Sequence, residues 1–233
     1  MVEIRLSTGR GRTANTGYLM AKLPNPPGID ELSKIPPQIK TISVGTEVSR
    51  VYFANSTHPT HWNQFRHFGP TASRFDHHLL DTSGTSFVQD RGIMYVAAGP
   101  EAASTCLAEV FQSKRTIDRN AGLPIYVGFV LEADVNLLDL TTSFVTAMGA
   151  STAIHSGPRP RARRWSQQLY QAYPEIDGIL YCSSMYGNAP AIALYERAKR
   201  AIPDYHLFHR ELRDVAMNKV VIQIATKINY AVV

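Results

Sequence analysis

The sequence predicts an α+β fold, and three observations carry that reading. Strand-like and helix-like segments interleave along most of the chain without the regular rhythm of a doubly wound parallel sheet. Hydrophobic residues make up 44% and charged residues 18% of 233 residues, which supports a packed core and excludes disorder over most of the chain. The stretch 1–44 differs from the rest, with Pro24, Pro26, Pro27, Pro36 and Pro37 set among Gly9, Gly11, Gly17 and Gly28. Prolines this dense forbid a long helix and remove ladder donors. This stretch is expected to be an irregular N-terminal extension or wrapping segment, and residues 45–233 one domain.

The elements follow in order. Residues 28–34 suit a short helix within the extension. Residues 49–53 read as a strand, with Arg50 and Tyr52 on one face and Val51 and Phe53 on the other. Residues 92–98 form a second strand, on which Ile93, Tyr95 and Ala97 share a face. Residues 100–115 predict a helix. Pro100 suits its first position, Glu101 its positive end, and Lys114 and Arg115 its negative end. Ala103, Leu107, Val110 and Phe111 form its apolar stripe. Residues 125–133 are a strand rich in β-branched and aromatic side chains. Helices are expected over 139–148, 160–173, 190–201 and 207–217, a short strand over 178–182, and one or two strands over 220–232.

Charge and cysteine content narrow the function classes. Lys plus Arg number 24 and Asp plus Glu 19, a net +5 that suits an anionic ligand without the dense basic footprint of a nucleic-acid binder. No apolar run approaches the roughly 18 residues of a membrane span, and no signal-peptide apolar region opens the chain. Cys106 and Cys182 make no disulfide framework, so a reducing, cytoplasmic setting away from membranes is expected.

Several motifs are weak. Gly9-x-Gly11-x-x-Ala14 has the letters of a dinucleotide fingerprint, but prolines follow where the receiving helix should begin. His58, His61, His67, His77 and His78 cluster without metal-ligand spacing, and Pro59 interrupts the first pair. A polar surface or cleft-lining loop is expected there, and no metal. Arg159, Arg161, Arg163 and Arg164 read as the solvated start of a helix whose Trp165 and Leu169 turn inward. Arginine at a helix start opposes the macrodipole, which leaves an anion or partner contact open.

The informative residues lie in separated segments. They are Ser49-Arg50-Val51-Tyr52; Ser73-Arg74-Phe75-Asp76; Gly92 to Ala97 leading into Ala102 to Val110, with Glu109; Asn136-Leu137-Leu138-Asp139-Leu140-Thr141; and Asp177-Gly178-Ile179-Leu180-Tyr181-Cys182-Ser183. Their letters and order resemble the RES domain family, over about Gly45 to Arg200. The resemblance implies an ADP-ribosyltransferase-like mixed sheet flanked by helices and an activity that consumes NAD⁺. It also implies a toxin-like protein paired with an Xre-type antitoxin, with inorganic phosphate as co-substrate in NAD⁺ phosphorolysis. In the family an arginine often follows the serine segment; here Met185 stands there, and Arg66 or the 159–164 run could take its task.

The residue types suit that chemistry. Arg50 and Arg74 offer planar donor forks for a diphosphate or ribose. Tyr95, with Tyr52 nearby, offers a flat face and a hydroxyl for nicotinamide. Breaking the nicotinamide–ribose bond develops positive charge on the ribose, which a carboxylate stabilises, and Glu109 is the candidate. Ser183 at a strand end could hydrogen-bond the ribose or the amide, with Ser184 one register step away, and Asn188 fits a polar position soon after. Each residue also has a plain reading: Arg50 or Arg74 paired with Asp76 or Asp81, Tyr95 in the core, Glu109 in solvent, and Ser183 as an ordinary strand end. Two other functions use the same features. One is a protein ADP-ribosyltransferase at the same NAD⁺ site. The other is a non-enzymatic nucleic-acid-binding module built on the basic residues. The extension could also cover the cleft, contact a partner or mediate self-association into a homo-oligomer.

Overall fold

The structure, a computed structural model, describes residues 22–233. The Gly9-Gly11-Ala14 motif lies outside the described residues. The proline-rich stretch is a wrapping segment over its described part. Its carbonyls cannot find ladder partners beside prolines, and side chains of a long helix, at residues 159–172, satisfy several of them instead. Trp165 Nε1 donates to the carbonyl of Pro24 (2.9 Å) and Arg161 to that of Leu23 (2.6 Å). Just past the helix, the Tyr173 hydroxyl donates to the carbonyl of Leu32 (2.8 Å). Leu23 and Leu32 are buried in the core. The short helix α1 (Ile29–Leu32) falls within the expected range, and β1 (Ile39–Ile42) joins the main sheet. Residues 22–44 are therefore packed into the same core and sheet as the rest of the described chain.

The remaining elements are β2 (Glu47–Phe53), β3 (Arg66–Gly69), β4 (Phe87–Ala98), α2 (Ala102–Val110), β5 (Thr116–Ile117), β6 (Pro124–Val130) and β7 (Val135–Asp139). Then come α3 (Phe144–Ala147), α4 (Ala153–Ser156), α5 (Arg159–Ala172), β8 (Gly178–Cys182), β9 (Pro190–Tyr195), β10 (Phe208–Glu211), α6 (Asn218–Ile228) and β11 (Ala231–Val232). One mixed sheet runs β1-β7-β8-β9-β4-β2-β6-β10, with β3 also on β4, and a small second sheet pairs β11 with β5. Among the described residues, only β7 with β8 is parallel within the large sheet. This is the α+β class, a mixed sheet flanked by helices.

Alternation along the strands sends two sets of side chains to opposite faces. One set, including Val48, Met94, Phe129 and Leu194, packs beneath Phe65 and the turn carrying Ala198 and Ala201. The other face is covered by α5, whose Trp165 and Leu169 lie in one core with Phe75, Ile179, Ala193 and Tyr195. Farther along, α2 and α6 cover Val51, Phe53 and Tyr126 through Leu107, Phe111 and Val221.

Three expected helices and the terminal strand are corrected. Residues 190–201 form β9 followed by a 3₁₀ turn, Glu196–Ala201. β9 lies between β8 and β4 and is buried on both faces, so its sequence shows no alternation, and its alanines and leucine mimic a helix. Residues 207–217 form β10 and a 3₁₀ turn, Val215–Met217, where Asp214 caps the amide of Ala216. Residues 139–148 contain helix only over α3, since β7 ends at Asp139. Residues 220–232 are mostly α6. Their β-branched content suggests strand, but Val221, Ile224, Ala225 and Ile228 recur at helical spacing and pack inward, and Asn229 ends the helix at φ 55°. α2 is also shorter than expected, with Pro100 before it and Lys114 and Arg115 beyond it.

His77 and His78 are enclosed rather than placed in a polar loop. The His77 ring stacks on Tyr170 and meets Tyr195, each at 4.4 Å between centroids. Burial lowers its pKa from 6.5 to about 4. Glu196, 3.8 Å away, pulls it upward, as does Asp76, while neighbouring His78 adds to the lowering. Among the described residues, no helix is long and apolar enough to cross a membrane.

Two outcomes are expected. Leu32→Ala leaves a cavity in the core and costs about 2–5 kcal/mol, lowering the thermal midpoint by about 10 °C, whereas a loose extension would leave the midpoint unchanged. His77 is the second test. Below pH 6.5 the unfolded chain binds its proton before the folded one does, so stability is lost as pH falls from 6.5 towards 4. The loss reaches roughly 3 kcal/mol for one such group. Thermal melts of His77→Phe across this window should show a shallower acid slope than wild type; equal slopes would remove His77 as the cause.

Candidate functional site

The sheet divides between β2 and β4. These strands share two register pairs, Val48↔Ala98 and Ser49↔Ala97. Beyond them β2 continues along β6, and β3 takes the free edge of β4 from Arg66↔Ile93 outward. A cleft of about 510 Å³ opens at this division. Arg50 and Tyr52 line it from β2, Arg66 from β3, Thr71, Ser73 and Arg74 from the following loop, and Ile93 and Tyr95 from β4. Glu109 lines it from α2, Gln112 from just past that helix, Arg159 from the first position of α5, and Tyr181 from β8. Val51 and Phe53 also border it, so at the division both faces of β2 contribute.

Arg50 is 8% exposed. It donates to the carbonyls of Trp62 (3.1 Å) and Gln64 (3.3 Å), and its buried Nε has no hydrogen-bond partner. Burial lowers its pKa to about 10, which still leaves it charged at neutral pH. Arg74 donates to the carbonyl of Gly157 (2.6 Å). Its pKa is lowered by burial and then by nearby Arg159, while Glu109 opposes the shift. Among the described residues neither arginine has a carboxylate ion-pair partner. Asp76 is taken by Arg66 and His78, and Asp81 is held within its own turn by Ser83 and Thr85. The plain reading of both arginines as partners of Asp76 or Asp81 is therefore corrected.

The Glu109 carboxylate is held at both oxygens. Oε1 accepts from the Ser183 hydroxyl (2.6 Å) and the Ser184 amide (3.1 Å), and Oε2 accepts from Gln112 (3.2 Å). The oxygen of Gln112 in turn accepts from Arg159 (2.5 Å). Ser183 also accepts from the amides of Met185 (3.2 Å) and Tyr186 (3.0 Å), so its hydroxyl is fully engaged. It is 1% exposed and does not border the cleft. The expected ribose or amide contact is corrected to a bracing contact on Glu109, and Ser184 contributes only its backbone. Asn188 is also outside the cleft, exposed at φ 59° in the turn before β9, a conformation that asparagine tolerates.

Tyr95 and Tyr181 border both the cleft and a smaller adjoining recess with Val51, Ala97, Thr105, Cys106 and Ala191. The Tyr95 hydroxyl is buried without a partner, and burial raises its pKa and that of Tyr181. The Tyr52 hydroxyl is taken by His209 Nε2 (2.8 Å). Burial pushes the Cys106 thiol up to about 12, and the thiol donates to the carbonyl of Ser49 (3.3 Å). Among the described residues no three His, Cys, Asp or Glu side chains converge as metal ligands do. His58 lies at the cleft, stacked on Phe68 at 3.5 Å.

Sequence reasoning missed Gln112 and Thr71, and quoted Ser73 and Tyr181 in their segments without giving them a role. Tyr181 sits two residues before Ser183, and Gln112 three after Glu109, so strand and helix periodicity carried a signal for both. Of the basic run, Arg159 reaches the cleft, while Arg161 and Arg164 bind Leu23 and Asn25 of the wrapping segment. Arg66 and Arg159 thus both stand in the cleft that Met185 does not reach. Other motif letters serve the fold. Asp177 pairs with Arg200 (2.6 Å) and accepts from the Asn136 amide, and a Cβ on Gly178 would lie 2.3 Å from the carbonyl oxygen of Ala193.

The two serines can be separated by stability. Ser183→Ala removes a buried hydroxyl joined to a carboxylate and two amides, and should cost about 1–3 kcal/mol in chemical denaturation. Ser184→Ala should stay within about 0.5 kcal/mol of wild type. The reverse order would show that the other serine braces Glu109.

No protein-family model and no curated protein matches the chain. Among solved structures, it is similar to a chain of the M. tuberculosis MbcT-MbcA toxin-antitoxin complex, at 15% identity and a TM-score of 0.49, over 82% of this chain and 94% of that one.

Proposed function

We infer that the protein degrades NAD⁺ by cleaving its nicotinamide–ribose bond, with phosphate or water as the nucleophile. One observation carries this reading: a braced carboxylate, Glu109, faces a cleft lined by Arg50, Arg66, Arg74 and Arg159, and among the described residues Arg50 and Arg74 lack carboxylate partners. Such a cleft suits a ligand that is anionic along one part and develops positive charge at another. The arginines receive the diphosphate. The part of the cleft beside Tyr95 and Tyr181 receives the flat nicotinamide against their rings.

Glu109 stands beside the ribose in this arrangement. As the C–N bond breaks, its electron pair moves to the nicotinamide nitrogen and cancels the charge there, while the ribose becomes oxocarbenium-like. A fixed carboxylate favours that state over the ground state without reorganising. Ser183, the Ser184 amide and Gln112 supply the fixation. Phosphate then adds to the ribose carbon through an anionic oxygen, or water adds and releases a proton to solvent. The toxin-like role and the Xre-type antitoxin belong to the same proposal through the family resemblance. The nucleic-acid reading loses part of its basis, because Arg161 and Arg164 bind the chain's own wrapping segment.

Mass spectrometry of NAD⁺ incubated with the protein, with and without phosphate, tests this. ADP-ribose-1″-phosphate marks phosphorolysis and ADP-ribose marks hydrolysis, whereas ADP-ribose on added protein marks the transferase. Untouched NAD⁺ would overturn the proposal. Glu109→Gln should lower turnover by about 10²-fold or more with the fold retained, and wild-type turnover would remove Glu109 from the chemistry.

A further inference from the structure

Behind the cleft lies a carboxylate that the mechanism does not use. Asp76 is fully enclosed and accepts five hydrogen bonds. They come from Arg66 Nη2 (2.8 Å), the Thr71 amide (2.7 Å), the Thr71 hydroxyl (2.8 Å), the His78 amide (3.2 Å) and His78 Nδ1 (2.5 Å). Burial opposes its ionisation, but the His78 hydrogen bond and Arg66 outweigh burial and hold the carboxyl well below the usual range. Asp76 is a fixed negative charge in the folded protein.

Its partners define its role. Arg66 and Thr71 both line the cleft, and the bonds to Thr71 close the loop that carries Ser73 and Arg74. Thr71 passes the constraint on, since its hydroxyl oxygen, which donates to Asp76, accepts from the Ser73 amide (3.4 Å) and lies 3.2 Å from the Ser73 hydroxyl. Packing holds the same loop from behind, where His78 lies so close to Gly69 that a Cβ there would sit 2.6 Å from the imidazole. Arg66 also donates to the carbonyl of Phe68, which fixes the guanidinium from a second side. One buried group thus orients one cleft arginine directly and a second through its loop.

We propose that Asp76 is a positioning residue of this site, fixing Arg66 and the Arg74 loop in the arrangement that receives the phosphates of a dinucleotide. The proposal rests on the NAD⁺ reading for its substrate, but the geometry itself calls only for a diphosphate. Asp76 touches no reacting atom. Its loss therefore weakens affinity and spares turnover of bound substrate.

The test compares Asp76→Asn and Thr71→Val with Leu32→Ala, a destabilised control whose side chain does not line the cleft. Asp76→Asn keeps size and removes charge; Thr71→Val removes one of the five bonds. Inorganic pyrophosphate binding, by calorimetry, should weaken about tenfold or more in Asp76→Asn and roughly threefold in Thr71→Val, with no change in Leu32→Ala. KM for NAD⁺ should rise in parallel while kcat stays within about threefold of wild type. The proposal is overturned if folded Asp76→Asn keeps wild-type pyrophosphate affinity, or if kcat falls while KM stays. Should Asp76→Asn not fold, unchanged affinity in Thr71→Val overturns it alone. Wild-type protein that binds pyrophosphate but leaves NAD⁺ intact defeats the NAD⁺ reading, and the pyrophosphate arm still decides the role of Asp76.

Discussion

The junction of β2 and β4 governs the rest of the molecule. A sheet this wide would ordinarily pair its neighbours along their lengths, but these two strands share only Val48↔Ala98 and Ser49↔Ala97. Longer pairing would close the space in which Arg50, Tyr95 and Glu109 meet; none at all would split the sheet into two. Arg50 stands just past the last pair, and its guanidinium donates through Nη1 to the carbonyls of Trp62 and Gln64. The same side chain thus holds the segment that diverges from β2 and carries the site's most enclosed positive charge. A buried charge without an ionic partner is costly, and the two carbonyl contacts offset part of that cost.

Charge around the cleft is arranged in two layers. Asp76 lies behind, neutralised by Arg66 and held by the loop. Glu109 lies in front, tied to the turn after β8 through Ser183 and to α5 through Gln112 and Arg159. Each carboxylate therefore joins separate elements of the chain. α5 and that turn are thus joined to the front carboxylate by hydrogen bonds.

Much of this is legible in the sequence where local pattern and tertiary role agree. The 49–53 strand alternates cleanly, and residues 178–182 are β8, because buried strands bounded by turn residues read plainly. Arg50, Arg74, Tyr95 and Glu109 each have a plain reading alone and stand out through the order of their segments and the family resemblance that order carries. The failures have physical causes. β9 is buried on both faces, which erases periodicity, and α6 hides a helical stripe under β-branched residues. Ser183 lies at the expected point with a different partner, since only the three-dimensional approach of α2 shows that Glu109 consumes its hydroxyl. Arg66 and Asp76 are both named in the sequence, but their pairing is not legible there, since it forms only where the chain turns back after β3.

Cys106 sits at the floor of the recess, three residues before Glu109 on α2, with its thiol raised to about 12. At neutral pH almost none of it is thiolate, the form that reacts with peroxides, disulfides and alkylating agents. The sulfur therefore serves as an apolar wall of the recess beside Glu109. Reagents that need a thiolate accordingly meet a poor target at Cys106.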